Sequence, residues 1–450
     1  MNKIIPIIIA SIFAINSIYA YIDPGSGAYI LSSIWSVIVG FFALILGVIL
    51  RFFRHTLKNF ISNFWKNHRI LFIISTIILI SSLTYTINYF FISESEFILP
   101  KYDESLNGAH ILKEKEIYPG YNLYNGKLLD NKGNLIKTWN YSYLSILDEK
   151  GNYYAQKGYE TLEWGKFTWN DEPIWIKELP IHHEIYLTPN NTIITFSKDT
   201  HTYNERLVEF DTILEFDTDG NLLQKYSTYD HLKELQKFHR QLELDKPPSV
   251  IIPEDHRKNT SIWGANHDYY HLNSFSLVPP NYMEGFHPAF NPGNWIISFR
   301  HGSMLFILDK NTKEVLWTAI FDQVENNLEG QHIPKMLENG NIMIFDNGRY
   351  REWSRILILN PVDLSVVSEY KHNDFFSYSQ GYYQELPNGN MLITESEKGK
   401  VFEINKNKEI VWKYYEPKYT ENEKYGTIRE ELYRMTRYDK GLIDNIIINN

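Results

Sequence analysis

Three histidines, an asparagine and an arginine of this chain could act together on an anionic group. They are His183, His271, Asn273, Arg300 and His332. A guanidinium is a planar fork of donors that suits tetrahedral oxyanions, and asparagine and neutral histidine add donors without a second full charge. Such a pocket would stabilise the oxygens of a transferring sulfuryl or phosphoryl group, and a neutral imidazole within it could be the nucleophile. The residue types therefore predict two-step group transfer through a histidine.

A phrase repeated along the chain predicts that these side chains meet at one centre. In each copy, one residue lies seven positions before a turn that opens a hydrophobic run: Tyr143 before Lys150, His183 before Asn190, His332 before Asn339 and Gly381 before Asn388. Such self-similarity is typical of a repeat array, and equivalent residues of a β-propeller face its central channel. His271 opens its own phrase, HLNSFS, and strand alternation returns Asn273 to the same face. Arg300 ends the next hydrophobic run and could reach back across the channel.

A second repeated phrase predicts the hairpins of the same fold. It consists of a short β-run, a turn rich in Asp, Asn, Gly and Lys, and another β-run, in residues 128–139, 215–226, 307–317 and 403–412. The two phrases alternate and give about four short strands per unit. We therefore predict an all-β fold, a β-propeller. A meander sandwich with chance resemblance among its turns is the alternative.

The first 95 residues differ from the rest and predict a membrane anchor. Residues 1–20 have one lysine near the start, an apolar stretch and a small residue, Ala20, so they resemble a secretory signal, either cleaved or kept as an anchor. Residues 28–50 and 70–91 are uncharged runs, each long enough to cross a ~30 Å hydrocarbon core as a helix. We predict that both are transmembrane helices.

The loop between these two runs predicts the orientation of the anchor. It contains no acidic residue and five basic ones: Arg51, Arg54, Lys58, Lys66 and Arg69. Basic loops stay in the cytoplasm, so residues 51–69 should be cytoplasmic and the large domain, residues 105–450, should lie on the extracytoplasmic or periplasmic side. The expected location is the cytoplasmic (inner) membrane.

Composition excludes several classes of function. The formal net charge of −10 argues against a nucleic-acid partner, because phosphate-binding domains carry clustered basic residues. The absence of cysteine removes disulfides, thiol nucleophiles and cysteine-ligated metals. The 32 Tyr, 26 Phe and 11 Trp suit β-sheet packing before ligand stacking.

Several short phrases, in order, resemble the bacterial arylsulfotransferase family. They are PGYNLYNGKLLDNKGNLIKTW, HHEI, HLNS, ISFRHGS, GQHIPKMLENGNIMIFDNG and YRMTRYD, and the resemblance covers most of residues 117–440. It implies a six-bladed propeller that moves a sulfuryl group from an aryl sulfate ester to a phenol, with no nucleotide sulfate donor and no cofactor. Five units carry the repeated phrases, so the sixth blade would be closed by the ends of the domain.

The resemblance also implies roles for individual residues. His332, in the GQH phrase, is similar in context to the family's nucleophile and would become a sulfohistidine. His271, Asn273 and Arg300 resemble the groups that bind and stabilise the sulfuryl oxygens. From the HHEI phrase we choose His183 over His182, because the spacing to the turn aligns it with His332; the choice between these neighbours stays open. One of the histidines would assist proton transfer.

The chain departs from the family in ways that leave its acceptor open. The family members that it resembles are soluble exported proteins with an additional amino-terminal β-domain and a cysteine pair. In this chain two predicted membrane helices stand in place of the β-domain, and there is no cysteine. A membrane-tethered enzyme could use a lipid-linked or envelope acceptor as well as a phenol. Residues 227–262 and 277–293 are inserted stretches where we expect the acceptor to enter.

Two other functions remain as alternatives. His183, His271 and His332 could ligate a metal, since three imidazoles and an open position make a hydrolytic zinc site. No HExxH motif supports that interpretation, and Arg300 would repel the cation. The propeller could also be a non-enzymatic, membrane-anchored binding platform with structural histidines, although such a scaffold would have no reason to keep the whole set.

Overall fold

The computed structural model describes residues 99–159, 161–203, 206–238, 250–251, 267–320, 323–324, 327–422 and 425–450. The signal-like segment, both predicted membrane helices and the basic loop lie outside these ranges, so those interpretations stay predictions. Within the ranges given, no helix combines the length and the apolar character needed to cross a bilayer. Residues from Ser95 to Asn450 form one compact unit.

The described chain is almost entirely β-structure. Its strands are β1 (Gly108–Ile111), β2 (Gly120–Tyr124), β3 (Lys127–Asp130), β4 (Leu135–Thr138), β5 (Tyr143–Leu147), β6 (Tyr153–Gln156), β7 (Glu163–Phe167), β8 (Pro173–Glu178), β9 (Ile181–Leu187), β10 (Ile193–Tyr203), β11 (Arg206–Phe216), β12 (Leu222–Ser227), β13 (Val250–Ile251), β14 (His267–Asp268), β15 (Leu272–Leu277), β16 (Trp295–Phe299), β17 (Met304–Leu308), β18 (Val315–Ile320), β19 (His332–Met336), β20 (Ile342–Asp346), β21 (Arg355–Leu359), β22 (Val366–Tyr370), β23 (Tyr382–Glu385), β24 (Met391–Glu395), β25 (Lys400–Ile404), β26 (Ile410–Tyr415), β27 (Tyr419–Asn422), β28 (Gly426–Arg429) and β29 (Thr436–Asp439). The α-helices are α1 (Leu232–Leu235) and α2 (Lys440–Asn449), and the 3-10 helices are Glu104–Leu106, Glu114–Glu116, Gln236–Phe238, Pro288–Phe290 and Ser396–Lys398.

These strands form a six-bladed β-propeller, as predicted. Blades 2 to 6 are the consecutive antiparallel meanders β5–β8, β9–β12, β15–β18, β19–β22 and β23–β26. Blade 1 combines the two ends of the domain, because β29 pairs antiparallel with β2 and completes the sheet β29-β2-β3-β4. At the outer edge of blade 6, β1 pairs with β26. The ring is therefore closed by hydrogen bonds between strands from opposite ends of the domain.

Strand alternation builds the core between blades. Side chains of successive residues point to opposite faces of a sheet. On β16, Ile297 accordingly packs with blade 3, whereas Ile296 packs with blade 5. Six apolar clusters result, one between each pair of neighbouring blades. Because burial of apolar surface is shared around the ring, each inner strand is held from both sides.

The described residues of the two inserted stretches contact different ends of the propeller. Residues Val250–Ile251 pair with β14, and β14 pairs in parallel with β11, which brings Asp268 next to the start of β15. In the other insertion, the Tyr282 amide donates to the Glu338 carbonyl at 2.9 Å. Glu338 lies beyond β19 at the end opposite His332, so the stretch 277–293 contacts the far end of blade 5. This placement argues against the predicted acceptor entrance at 277–293.

Candidate functional site

A backbone kink marks the start of five inner strands. Left-handed φ angles occur at Leu144 (52°), His183 (59°), His271 (54°), Ile333 (50°) and Gly381 (87°). These positions lie within one residue of those that the repeated phrase marks. The ladders of β5, β9, β15 and β19 also shift register close to the kink. Non-glycine residues rarely adopt this conformation, and such strain concentrates at functional sites.

His332 is fixed with one ring nitrogen available for chemistry. It is buried at the start of β19, and its Nδ1 lies 2.8 Å from Asn347 Oδ1. Asn347 uses its Nδ2 group to donate to the carbonyls of Ser377 and Gln380, each at 2.9 Å. Because the amide must then present its oxygen to His332, Nδ1 carries the hydrogen and Nε2 keeps its lone pair.

His332 is also held neutral. Burial lowers its pKa to about 3; the hydrogen bond with Asn347 opposes that shift and the charge of Arg300 reinforces it. A neutral imidazole with an exposed lone pair is the form in which histidine acts as a nucleophile. The site therefore favours the neutral form of His332 at neutral pH.

Arg300 lies between His271 and the segment that precedes His332. Its backbone N–H donates to the His271 carbonyl at 3.0 Å, directly after β16. The guanidinium Nε is buried and has no hydrogen-bond partner among the described groups. Burial lowers the pKa of Arg300 to about 10, with a further contribution from the charge of Arg349. Arg300 is thus a cation at neutral pH with donors left for a ligand.

His271 is oriented by a carboxylate. Its Nδ1 lies 2.6 Å from Asp268 Oδ2, and its backbone N–H donates to Asp268 Oδ1 at 3.1 Å. Burial would raise the pKa of Asp268, but Lys198 and His271 overcome it and hold that pKa well below its usual range. Burial lowers the pKa of His271, which Asp268 partly offsets. A neutral His271 therefore donates from Nδ1 to an ionised Asp268 and can accept a proton at Nε2.

The structure brings His183 against His271 and places His182 behind it. The rings of His183 and His271 have centroids 4.8 Å apart. The Nδ1 atoms of His182 and His183 lie 2.7 Å apart, and His182 Nε2 is 3.2 Å from Asp211 Oδ1. Burial lowers the pKa of His182 to about 4 and that of His183 well below its usual value. Both histidines are neutral, and His183 is the one that contacts His271.

Asn273 contacts the backbone beside the candidate nucleophile. Its Nδ2 group donates to the carbonyl of Gln331 at 2.8 Å, while its Oδ1 is buried without a hydrogen-bond partner among the described groups. This contact fixes the residue that precedes His332. The five predicted residues thus lie together, and a direct bond from Asn273 to a sulfuryl oxygen stays a prediction.

Four further side chains belong to this site and were missed in the sequence. Asp268 orients His271, Asn347 orients His332, and His301 has its ring centroid 5.0 Å from that of His271. The fourth, Arg349, contacts the same segment as Arg300. Asn347 lies within the GQHIPKMLENGNIMIFDNG phrase, and Asp268 lies three residues before the HLNS phrase. Their polar side chains so close to the candidate residues could have marked them as part of the site.

The groups able to share a metal ion differ from the predicted set. Among the described residues, Asp268, His271 and His301 offer ligand atoms that lie within 4.8 Å of one another. Both ring nitrogens of the buried His301 are without hydrogen-bond partners there. Two imidazoles and a carboxylate suit a transition metal, but the charge of Arg300 opposes a cation at this position.

Comparisons with known proteins were made on sequence and on fold. The family described as Arylsulfotransferase (ASST) matches residues 121–416. No curated protein matches the chain at a significant level. A solved protein of unknown function from Bacteroides caccae is 13% identical, with a TM-score of 0.44, over 72% of this chain and 100% of that one.

Two solved lyases are more distant. A streptogramin B lyase is 9% identical with a TM-score of 0.36, over 73% of this chain and 97% of that one. A catalytically inactive variant of virginiamycin B lyase from Staphylococcus aureus, solved with quinupristin, is 8% identical with a TM-score of 0.35. The match covers 68% of this chain and 87% of that one. Similarity at this level says nothing about chemistry.

The match to the family model shows which family the chain belongs to. It spans more than half of the chain and includes His183, His271, Asn273, Arg300 and His332. It also confirms the resemblance found in the sequence phrases and agrees with the six blades. The protein belongs to the arylsulfotransferase family.

Proposed function

We propose that this protein transfers a sulfuryl group from an aryl sulfate ester to a phenolic or other hydroxyl acceptor through a sulfohistidine at His332. The family match supports aryl sulfotransfer in general. The observation that carries the histidine mechanism is the chain of hydrogen bonds from Ser377 and Gln380 through Asn347 to His332. It leaves Nε2 as the one nitrogen of that ring with a free lone pair.

In the first half-reaction, His332 Nε2 attacks the sulfur of the donor. The S–N bond forms as the S–O bond to the aryl group breaks, and the phenolate leaves with the electron pair. Arg300 binds the sulfuryl oxygens, where it stabilises the charge that they carry in the transition state. The minor protonated form of His271 gives its Nε2 proton to the phenolate, and Asp268 stabilises that form.

In the second half-reaction, the acceptor hydroxyl attacks the sulfur of the sulfohistidine. The proton of the hydroxyl moves to His271 Nε2, the S–N bond breaks, and its electron pair returns to His332. The enzyme regains its starting state, with His271 protonated as required for the next donor. The same groups therefore serve both directions, as expected when donor product and acceptor are both phenols.

We also propose that the reaction takes place outside the cytoplasmic membrane. The predicted helices at residues 28–50 and 70–91 would hold the propeller there, close to lipid-linked or envelope acceptors. Reporter fusions after residues 60 and 100 test this arrangement. Reporters on the same side of the membrane would exclude two spans.

A direct test uses the full-length protein purified in detergent with a chromogenic aryl sulfate, with and without added phenol. We expect phenol-accelerated release of the chromophore and a sulfuryl adduct on His332 by peptide mass spectrometry. The His332→Asn variant should fold and form no adduct. An adduct on another residue, or release that His332→Asn retains, would refute the mechanism.

The same assay separates the two alternatives. Activity that disappears with a chelator and returns with zinc would favour a hydrolase with a metal at Asp268, His271 and His301. A folded protein that binds aryl sulfates without turnover, across phenolic and lipid-linked acceptors, would favour the binding platform. Transfer that is unaffected by chelator supports the proposal.

A further inference from the structure

We propose that Arg349 acts with Arg300 as a second anion-binding guanidinium, so that the pocket accepts aryl phosphate dianions as donors in addition to aryl sulfate monoanions. The proposal deepens the proposed function, because it rests on the same site at His332. It assigns a substrate-binding role to Arg349 and a second transferable group to the enzyme.

Gly330 brings the two arginines together. A Cβ atom at Gly330 would lie 3.2 Å from Arg349 Cδ and 3.9 Å from Arg300 Cγ. The two side chains therefore pack on the same backbone position, two residues before His332. Gly330 also has a φ of +68°, which favours glycine.

The charges of this pair are not balanced by carboxylates. Within the described part of the chain, neither Arg300 nor Arg349 forms an ion pair, and the Nε of each is buried without a hydrogen-bond partner. Arg349 Nη2 donates to the Tyr378 hydroxyl at 2.7 Å. Four other arginines with low exposure pair with carboxylates, namely Arg351, Arg355, Arg434 and Arg437, whereas the buried Arg429 donates to the Asn107 side chain and to backbone carbonyls.

Charge balance indicates which ligand fits. Two close guanidiniums repel each other, and the charge of Arg349 helps to lower the pKa of Arg300. A sulfate ester offers one negative charge, whereas a phosphate monoester above its second pKa of about 6 offers two. Both guanidiniums can then donate to oxygens of one tetrahedral group, in the bidentate geometry that arginine favours.

Phosphoryl transfer would follow the same course at His332. Nε2 attacks phosphorus, the P–O bond to the aryl group breaks, and the phenolate leaves with the electron pair and takes the Nε2 proton from the minor protonated form of His271. An acceptor hydroxyl then attacks the phosphohistidine, the P–N bond breaks, and the hydroxyl proton returns to His271. Positioning and charge stabilisation are the main demands of this reaction.

Titratable groups of the protein near the arginines also change the affinity for an anion as pH changes, and their effect must be distinguished from titration of the ligand. Glu397 accepts from the Tyr378 and Ser379 amides at 3.0 and 3.3 Å, and burial raises the pKa of Glu397 to about 7. Asp268 is ionised, and His271 and His332 are neutral. Ionisation of Glu397 would weaken the binding of any anion as pH rises, whereas formation of the phosphate dianion would strengthen it.

The test measures binding of phenyl phosphate and phenyl sulfate to full-length His332→Asn protein by calorimetry from pH 5.5 to 8. Phenyl sulfate does not titrate in this range, so its curve reports the protein groups alone. We expect the affinity for phosphate relative to sulfate to rise about threefold or more across the range. A flat or falling ratio would overturn the proposal.

Variants identify the guanidinium responsible. Arg349→Gln should weaken phenyl phosphate binding roughly tenfold and phenyl sulfate binding by less than about threefold. Arg349→Lys should recover part of the loss. Lys335→Gln, which removes one charge from an exposed position of β19, is the matched control and should change both by less than about twofold. Equal losses for both ligands in Arg349→Gln would overturn the role of Arg349.

Transfer is tested separately with unmodified full-length protein and phenyl phosphate. A phosphoryl adduct on His332 supports the further activity, and binding without that adduct overturns it. The calorimetry needs no turnover. Failure of sulfotransfer in the earlier assay would therefore be distinguishable from failure of dianion binding here.

Discussion

Arg349 and Arg351 are two residues apart in blade 5 and have opposite surroundings. Arg351 Nη2 lies 2.9 Å from Asp346 Oδ2, and Arg355 Nε lies 2.8 Å from the same oxygen. Glu329 and Glu369 add further carboxylates around this structural cluster. Arg349 and Arg300 have no carboxylate partner among the described residues. The fold thus supplies a carboxylate to one of two neighbouring arginines and gives the other the hydroxyl and ring of Tyr378.

The largest expected effect is on stability, in the cluster where Arg351 and Arg355 share Asp346. Asp346→Asn would remove the buried carboxylate that Arg351 and Arg355 share and leave two guanidiniums with only Glu329 and Glu369 as counter-charges. We expect a loss of about 3–5 kcal/mol in the free energy of unfolding, measured with urea. The activity of each folded molecule should be retained. Unchanged stability would show that the cluster is not what holds this part of blade 5.

Arg300→Lys should have the opposite outcome, with a loss of activity and little change in stability. A point charge cannot reproduce the two-pronged donor geometry, so kcat/KM for an aryl sulfate should fall about 10²–10³-fold. The midpoint of urea unfolding should change little, because Arg300 has no ion pair to lose among the described residues. A destabilised variant with normal kcat/KM would show that Arg300 has a structural role, like Arg351.

Asn347→Asp would add a counter-charge inside the site. A carboxylate at position 347 would raise the pKa of His332 from about 3, because it favours the imidazolium. We expect roughly a tenfold loss of kcat at pH 6 and recovery as pH rises, measured as a pH profile. Asn347→Leu should lower kcat without moving the acidic limb.

A further prediction concerns the dependence of stability on pH. His182, His301 and His332 have folded-state pKa values of about 4, 3 and 3 because of burial. Unfolding raises each towards about 6.5, so the unfolded chain binds more protons between pH 4 and 6.5, and stability falls as pH drops through that window. Each histidine contributes at most about 1.4 kcal/mol per pH unit. His301→Leu should flatten the slope in urea unfolding, while Lys335→Gln should not.

The sequence predicted the positions on the inner strands well. The spacing to an Asn-centred turn marked His183, His332 and Gly381, and each lies within one residue of a left-handed kink, because each blade repeats the same strand and turn. Closure of the sixth blade by the ends of the domain was also correct. The number of blades came from the family resemblance and not from the repeats.

What the sequence did not reveal comes from outside the repeated strands. Asn347 and Arg349 follow β20 in a loop whose path is set by contacts with Glu329 and Ser377, and no periodicity marks them. Asp268 reaches the site because β14 pairs in parallel with β11, a pairing within an insertion. Residues 277–293 contact the end of blade 5 opposite His332, which the sequence did not reveal because the length of an insertion does not indicate which end of a blade it occupies.

Closure of blade 1 by β29 has a consequence for the order of events during synthesis. About 300 residues separate β2 from its partner strand, which at 5–20 residues per second takes roughly 15–60 s to translate. Until the last strand emerges, β2 has an unpaired edge and the channel lacks one wall. The ring, and with it any chemistry at its centre, can be completed only after nearly the whole chain has left the ribosome. A nascent chain, or one truncated before β29, therefore lacks the strand that closes the ring.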